Sequence, residues 1–189
     1  MRIGLVGEAP NDTQSIKNLL LKKYAHLDFF FMLQRINGAS LDSQKTKRFL
    51  RIEYEIEKPD IVIFIRDLDA VLPNKKKLYE RKEYFTNFNS VVDNKGIYLL
   101  HIYEIEALLL ADITTFNKMF NTTIIPVENV MNIIEPKEYL RERANGYNES
   151  KNAEIFEQLI FKDVIFNCKY FSDFIHNFDK TLQKNKNRT

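Results

Sequence analysis

The sequence predicts an α/β fold, a mainly parallel four-stranded sheet flanked by helices, followed by an all-helical C-terminal extension. Three observations carry this expectation. Short apolar runs alternate with segments of helical period through about residue 113. The clearest run, Ile61–Ile65, reads Ile-Val-Ile-Phe-Ile, continuous and β-branched like a parallel strand covered on both faces. Beyond about Thr114 the strand-like runs stop, and Pro126, Pro136, Gly146 and Asn148 punctuate segments of helical character.

The elements follow in order. Ile3–Val6, closed by Gly7, reads as a buried strand, and Asn11 or Asp12 can cap a helix with apolar positions Ile16, Leu19, Leu20 and Tyr24. Leu27–Leu33 is the second strand, ended by an Asn37-Gly38 turn. Ser40 is expected to cap a helix running to Glu57, with Leu41, Phe49, Ile52 and Ile56 as its buried stripe, and Pro59 stops it. Asp60–Arg66 is the third strand, Lys75–Phe88 a charged helix, Ile97–Tyr103 the fourth strand and Ile105–Asp112 a further helix. Helical segments are then expected near Val127–Ile134, Lys137–Asn145, Glu149–Ile160 and Ser172–Leu182. The organisation is an α/β domain over 1–113, a helical extension over 114–183 packed on it, and a tail over 184–189, with the chain frayed from about Lys180.

Composition narrows the function classes. The 189 residues fit one domain with an appendage. Lys+Arg 28 against Asp+Glu 26 leaves +2, so no global charge points to nucleic acid or a membrane surface. The single cysteine, Cys168, excludes a disulfide framework and a multi-cysteine zinc site, and reads as a buried small hydrophobe. No apolar run approaches the ~20 residues of a spanning helix, and Met1–Val6 lacks a signal-peptide stretch. The expectation is a cytoplasmic protein without membrane contact.

In a parallel α/β sheet ligands bind at the carboxyl ends of the strands, so acidic residues there are informative. Glu8 ends the first strand with Asp12 one helical turn on. Asp67 and Asp69 follow the third, and Glu104 and Glu106 the fourth, with Asp112 at the end of the next helix. Residues two apart in extended chain point the same way, so each pair can converge on one ion. Hard oxygen ligands without histidine or thiolate favour magnesium, manganese or calcium. The competing reading for each residue is an ordinary helix cap or dipole partner. Two basic clusters, Lys45–Arg51 and Lys75–Lys82, can contact phosphates but fit solvated charged helices better, since Glu53, Glu55 and Glu57 follow the first. Arg66 reads as a structural ion pair, and His26 and His101 as surface and core residues.

Leu5–Asp12, Leu-Val-Gly-Glu-Ala-Pro-Asn-Asp, and Ile63–Asp69, Ile-Phe-Ile-Arg-Asp-Leu-Asp, resemble the two signatures of the TOPRIM domain of topoisomerases, primases and OLD-type nucleases. His101–Asp112 is similar to the Glu-Ile-Glu-Ala-Trp-Leu-Leu-Ala-Asp of a small TOPRIM-related family of unassigned activity. Pro136-Lys137, Gly146-Tyr147 and Cys168-x-x-Phe171-x-x-Phe174 resemble that family's tail. The resemblance implies Glu8 as general acid/base, Asp67 and Asp69 as ligands of Mg2+ or Mn2+, and Glu106, with Glu104 as second choice, as a further ligand. Asp12 and Asp112 are additional acidic candidates. Ala9 stands where the family usually has glycine, and Leu108 where it has tryptophan. The activity implied is metal-dependent phosphoryl transfer, a nuclease on DNA or RNA. The alternative is a non-enzymatic TOPRIM-like subunit that binds a partner such as an ATPase, as in two-gene phage-defence systems. The aromatics Phe161, Phe166, Phe171, Phe174 and Phe178 point to a core or a homodimer interface.

Overall fold

A computed structural model describes residues 1–34 and 40–187. The Asn37-Gly38 turn and the last two residues of the tail lie outside the described residues. Four strands, β1 (Arg2–Val6), β2 (Asp28–Phe31), β3 (Ile61–Asp67) and β4 (Gly96–His101), form one sheet in the order β2-β1-β3-β4. Every pairing is parallel, so the sheet is parallel throughout. The connections run through α1 (Pro10–Tyr24), α2 (Gln44–Glu57) and α3 (Lys75–Asn89). Strand order reverses between β1 and β3, which opens a crevice at their carboxyl ends.

Alternation along the strands divides the interior. Ile3, Leu5, Ile61, Ile63, Ile65 and Leu99 face one core, and Val6, Val62, Phe64 and Tyr98 face the other. The second core is closed by α2 and α3 through Leu50, Tyr54, Tyr84 and Phe88. The first is closed by α1 and by the later helices α4 (Ala107–Ala111), α5 (Ile113–Phe120), α6 (Pro136–Arg143), α7 (Asn152–Gln158), α8 (Phe161–Asn167) and α9 (Lys169–Lys186). Leu19 and Leu20 of α1 thus share one apolar cluster with Phe156, Phe171 and Phe178.

Several local expectations are corrected. The first turn of α1 has no side-chain cap: Ala9 occupies the cap position and Pro10 starts the helix, its missing N–H costing nothing there. Asn11 and Asp12 therefore lie inside the helix. Ser43, not Ser40, caps α2, its Oγ accepting from the Thr46 N–H at 3.1 Å. Val127–Ile134 holds only a 3-10 turn at Val130–Asn132. The tail from Lys180 is helical through Lys186, because Phe178 and Leu182 anchor α9 in the core. Of the C-terminal rings, Phe171, Phe174 and Phe178 are buried, Phe161 is half-buried, and Phe166 is exposed. Cys168 is buried, and burial pushes its thiol up to about 12.

Of the stripe expected to bury α2, Leu41 is buried ahead of the helix, but the residues within the helix face away. Thr46, Leu50 and Tyr54 face the sheet, whereas Phe49, Ile52 and Ile56 are 40%, 53% and 69% exposed. Two apolar stripes wind along this helix, and spacing alone does not say which meets the sheet. Leu50→Ala should therefore cost ~2–5 kcal/mol, whereas Ile56→Ala should stay within about 0.5 kcal/mol. Urea denaturation of dilute protein, followed by circular dichroism, separates these values; equal losses at both positions would contradict the helix orientation.

Candidate functional site

The carboxyl edge of the sheet is shaped by a tight strand-to-helix turn at Gly7. A Cβ there would stand 2.5 Å from Thr13 Oγ1, so only glycine lets the first turn of α1 come this close to β1. The turn places Glu8 beyond the end of β1 and Asp12 on the first turn of α1, facing the end of β3. Asp67 is the last residue of β3, paired in register with His101 of β4.

Asp12, Asp67, Glu104 and Glu106 line one cavity of about 510 Å³. Ala9 and Asn11 form one wall, and Lys137, Arg141 and Asn148–Ser150 the other. Burial raises the pKa of Asp67 well above the ordinary carboxylate range, and the charges of Asp12, Glu106, Glu8 and Asp69 push it the same way. Asp12 is raised to about 7, first by burial, then by Glu106 and Glu8, with Lys137 opposing. Glu106, only 4% exposed, is raised by burial, against which the Asn152 amide stabilises its anion.

The other acidic candidates are engaged differently. Arg66, itself buried, donates to Glu8 from Nε and to Asp42 Oδ1 from Nη1 at 2.6 Å, and its guanidinium lies over the Tyr84 ring. Asp69 does not continue the alternation of β3, because the strand ends at Asp67 and Asp69 takes a left-handed conformation with φ 53°. Its Oδ2 accepts from Arg81 Nη2 at 2.6 Å. Glu104 pairs with Lys137, Nζ to Oε1 at 3.5 Å, and accepts the Lys137 N–H at 3.3 Å. Glu104 and Glu106 are not two apart on extended chain, since β4 ends at His101 and Tyr103 is left-handed.

Asp112 stands outside the cavity and is the one candidate for which the capping reading holds. Its Oδ1 accepts from Thr115 N at 3.2 Å and its Oδ2 from Ile160 N at 2.7 Å. Asp12 and Asp67 cap nothing, and among the described residues neither carboxylate has a hydrogen-bond or ion-pair partner.

Four residues without an expected site role act here, two lining the cavity and two supporting Glu106 from behind. Lys137 and Arg141 supply its cations. Asn152 donates to Glu106 Oε1 at 3.0 Å, and the Tyr147 hydroxyl donates to Asn152 Oδ1 at 3.1 Å. A signal existed: Pro136-Lys137 and Gly146-Tyr147 stood out as a pattern, although nothing in one sequence tied them to an edge some forty residues upstream. Asn11 Nδ2 also reaches Glu149 O, closing the cavity between α1 and the segment before α7.

The donor set is all carboxylate oxygen, which suits a hard divalent cation and not zinc or copper. Among the described residues, no three His, Cys, Asp or Glu side chains already stand together as a formed metal cage. The fit is therefore one of donor chemistry: Asp12, Asp67 and Glu106 share a cavity and destabilise one another's anions, which a cation would relieve. Compared with protein-family models, with curated proteins and with solved structures, the chain shows no match. No helix among the described residues is long and apolar enough to cross a membrane.

Folded Asp12 keeps its proton to about pH 7, whereas an unfolded aspartate releases it near ~3.9. Between these values the native state binds the more protons, so this group's contribution to stability is full below pH 4 and is lost as pH rises through 7. Asp12→Asn, free of that loss, should melt above wild type at pH 8 in chelator by at least the ~2–4 °C equivalent to 1 kcal/mol. The two should converge near pH 4. A variant less stable than wild type at pH 8 would show that Asp12 makes a favourable contact the geometry does not contain.

Proposed function

We propose that this chain is a divalent-metal-dependent phosphoryl-transfer enzyme of TOPRIM type, a nuclease acting on DNA or RNA. The supporting observation is the placement of Asp12, Asp67 and Glu106 in one cavity at the crevice between β1 and β3, with Lys137 and Arg141 on the facing wall. Carboxylates gathered at a strand-order reversal, with cations beside them, suit a site that holds both a metal ion and a phosphate.

Asp12, Asp67 and Glu106 would hold magnesium or manganese. When bound, such an ion supplies Lewis-acid polarisation of a phosphoryl oxygen. Lys137 and Arg141 bind the phosphate and offset the negative field of the cavity. Glu8, ion-paired with Arg66 beyond the end of β1, would be the group that accepts a proton from the attacking nucleophile. Asn152 orients Glu106 by occupying one of its oxygens. A second cavity of about 430 Å³ shares Ala9 and Asn11 with the first and is lined by Phe31, Met32 and Gln14, giving room for a nucleoside beside the phosphate.

A partner-binding subunit without catalysis, for example one acting with an ATPase, is the second reading. Its support is that Glu8, Asp69 and Glu104 each already have a cation within the chain, in Arg66, Arg81 and Lys137.

Incubating the purified protein with single- and double-stranded DNA and RNA decides between the two. The enzyme reading expects cleavage with manganese or magnesium, its abolition by chelator, and a loss of ~100-fold or more in Asp67→Asn. It also expects manganese at ten times its dissociation constant to contribute about 1.4 kcal/mol of stability, a rise of ~3–6 °C in Tm. No cleavage and no metal-dependent melting shift would remove the enzyme reading.

A further inference from the structure

The outer face of α2 carries an apolar stripe from Phe49 to Ile56 that is unpartnered among the described residues. Phe49, Ile52 and Ile56 recur at spacings of three and four, with Lys45 one turn before them, the seam pattern of helices that pack lengthwise on one another. None of the three is needed by the core, whose contacts with this helix are made by Thr46, Leu50 and Tyr54. Three large apolar side chains on one exposed helical stripe form a patch of the kind that marks an interaction surface.

The charges bordering the seam say what covers it. Lys45 and Arg48 lie at its amino-terminal half, and Glu55 at its carboxyl-terminal half. Arg48 has no ion-pair or hydrogen-bond partner among the described residues. Among the described residues the Lys45 ammonium meets the Phe49 ring, 5.6 Å from its centroid, and no carboxylate. Glu55 receives Arg51 Nε on Oε1 at 2.7 Å, leaving Oε2 for a second cation. Such a face is complementary to itself when reversed. Two copies laid antiparallel about Ile52 bring Phe49 of each against Ile56 of the other, and Arg48 of each beside Glu55 of the other. In a parallel pair the two-fold axis runs along the helices and puts Arg48 of one copy and Glu55 of the other on opposite sides of the seam, so the two do not meet.

We propose that α2 is the surface through which two copies of this chain pair, helix against helix and antiparallel, with Ile52 on the two-fold axis. The interface is isologous, so each side chain acts twice. It is small, about 21 Å of helix on each side at 1.5 Å per residue, and the dimer forms reversibly with concentration. The carboxylate cavity is built from other elements, and pairing through α2 leaves it open in both copies.

Sedimentation velocity on the full chain over a dilution series tests this with four proteins. Wild type should pass from monomer to dimer as concentration rises. Ile52→Lys should be monomeric throughout, because it sets two ammonium groups against each other at the axis. Arg48→Glu should weaken association by about tenfold or more, since it places like charges together twice. Arg48→Glu combined with Glu55→Arg should recover most of that loss, because the swap restores complementarity only in the antiparallel arrangement. All three side chains are exposed, and equal melting temperatures in dilute solution confirm that the variants fold. A wild type monomeric at every concentration, an Ile52→Lys dimer, or a double variant as weak as Arg48→Glu would each overturn the proposal.

Discussion

A buried guanidinium at the carboxyl edge of the sheet ties together the elements around the cavity. Arg66, the penultimate residue of β3, reaches Glu8 beyond the end of β1 and Asp42 ahead of α2, and rests on the Tyr84 ring of α3. Burial works against its charge, and Glu8, Tyr84 and Asp42 outweigh that cost, so Arg66 stays a cation. Such a pair adds little net stability compared with apolar residues of the same shape, yet losing Glu8 would leave the buried Arg66 charge poorly compensated. Its effect is geometric. It fixes the ends of β1 and β3 relative to each other, and with them the approach of Asp12 to Asp67.

The same edge shows how local rules and tertiary packing divide the work. The third strand could be read directly, because Ile-Val-Ile-Phe-Ile suits only a position between two covered faces, and β3 is central in the sheet. Glu8 and Asp67 could be placed for the same reason, as they adjoin the two strands that flank the order reversal. Asp69 could not, since its place depends on where the strand stops. The segments 113–120 and 161–167 fold as α5 and α8 although each is only about two turns long. The first is capped by Asp112, a local signal, whereas the second depends on packing against α4 and α9, which a local window does not display.

The orientation of α2 illustrates a different limit. Both of its stripes satisfy helical period, and the more hydrophobic one faces outward while a threonine, a leucine and a tyrosine face the sheet. On the sheet side Leu50 and Tyr54 join the apolar cluster that holds Val62 and Phe64, a tertiary match that the helix's own sequence does not display. Hydrophobicity decides that a helix packs, and the tertiary match decides which side of it does so.

The hydrogen-bond chain from Tyr147 through Asn152 to Glu106 has a consequence for synthesis. A chain made from its amino terminus can pair all four strands once residue 101 has emerged, well before the groups that shield Glu106 exist. Until residue 152 leaves the ribosome, Glu106 and its neighbours face water, hydrated and free of mutual strain. The burial of Glu106 is therefore completed only after α7 has been made and docks on α1. Whatever the edge can bind while half-built, it binds as an open, solvated cluster of acids. The Asn152 contact that holds Glu106 forms only when that later part of the chain arrives.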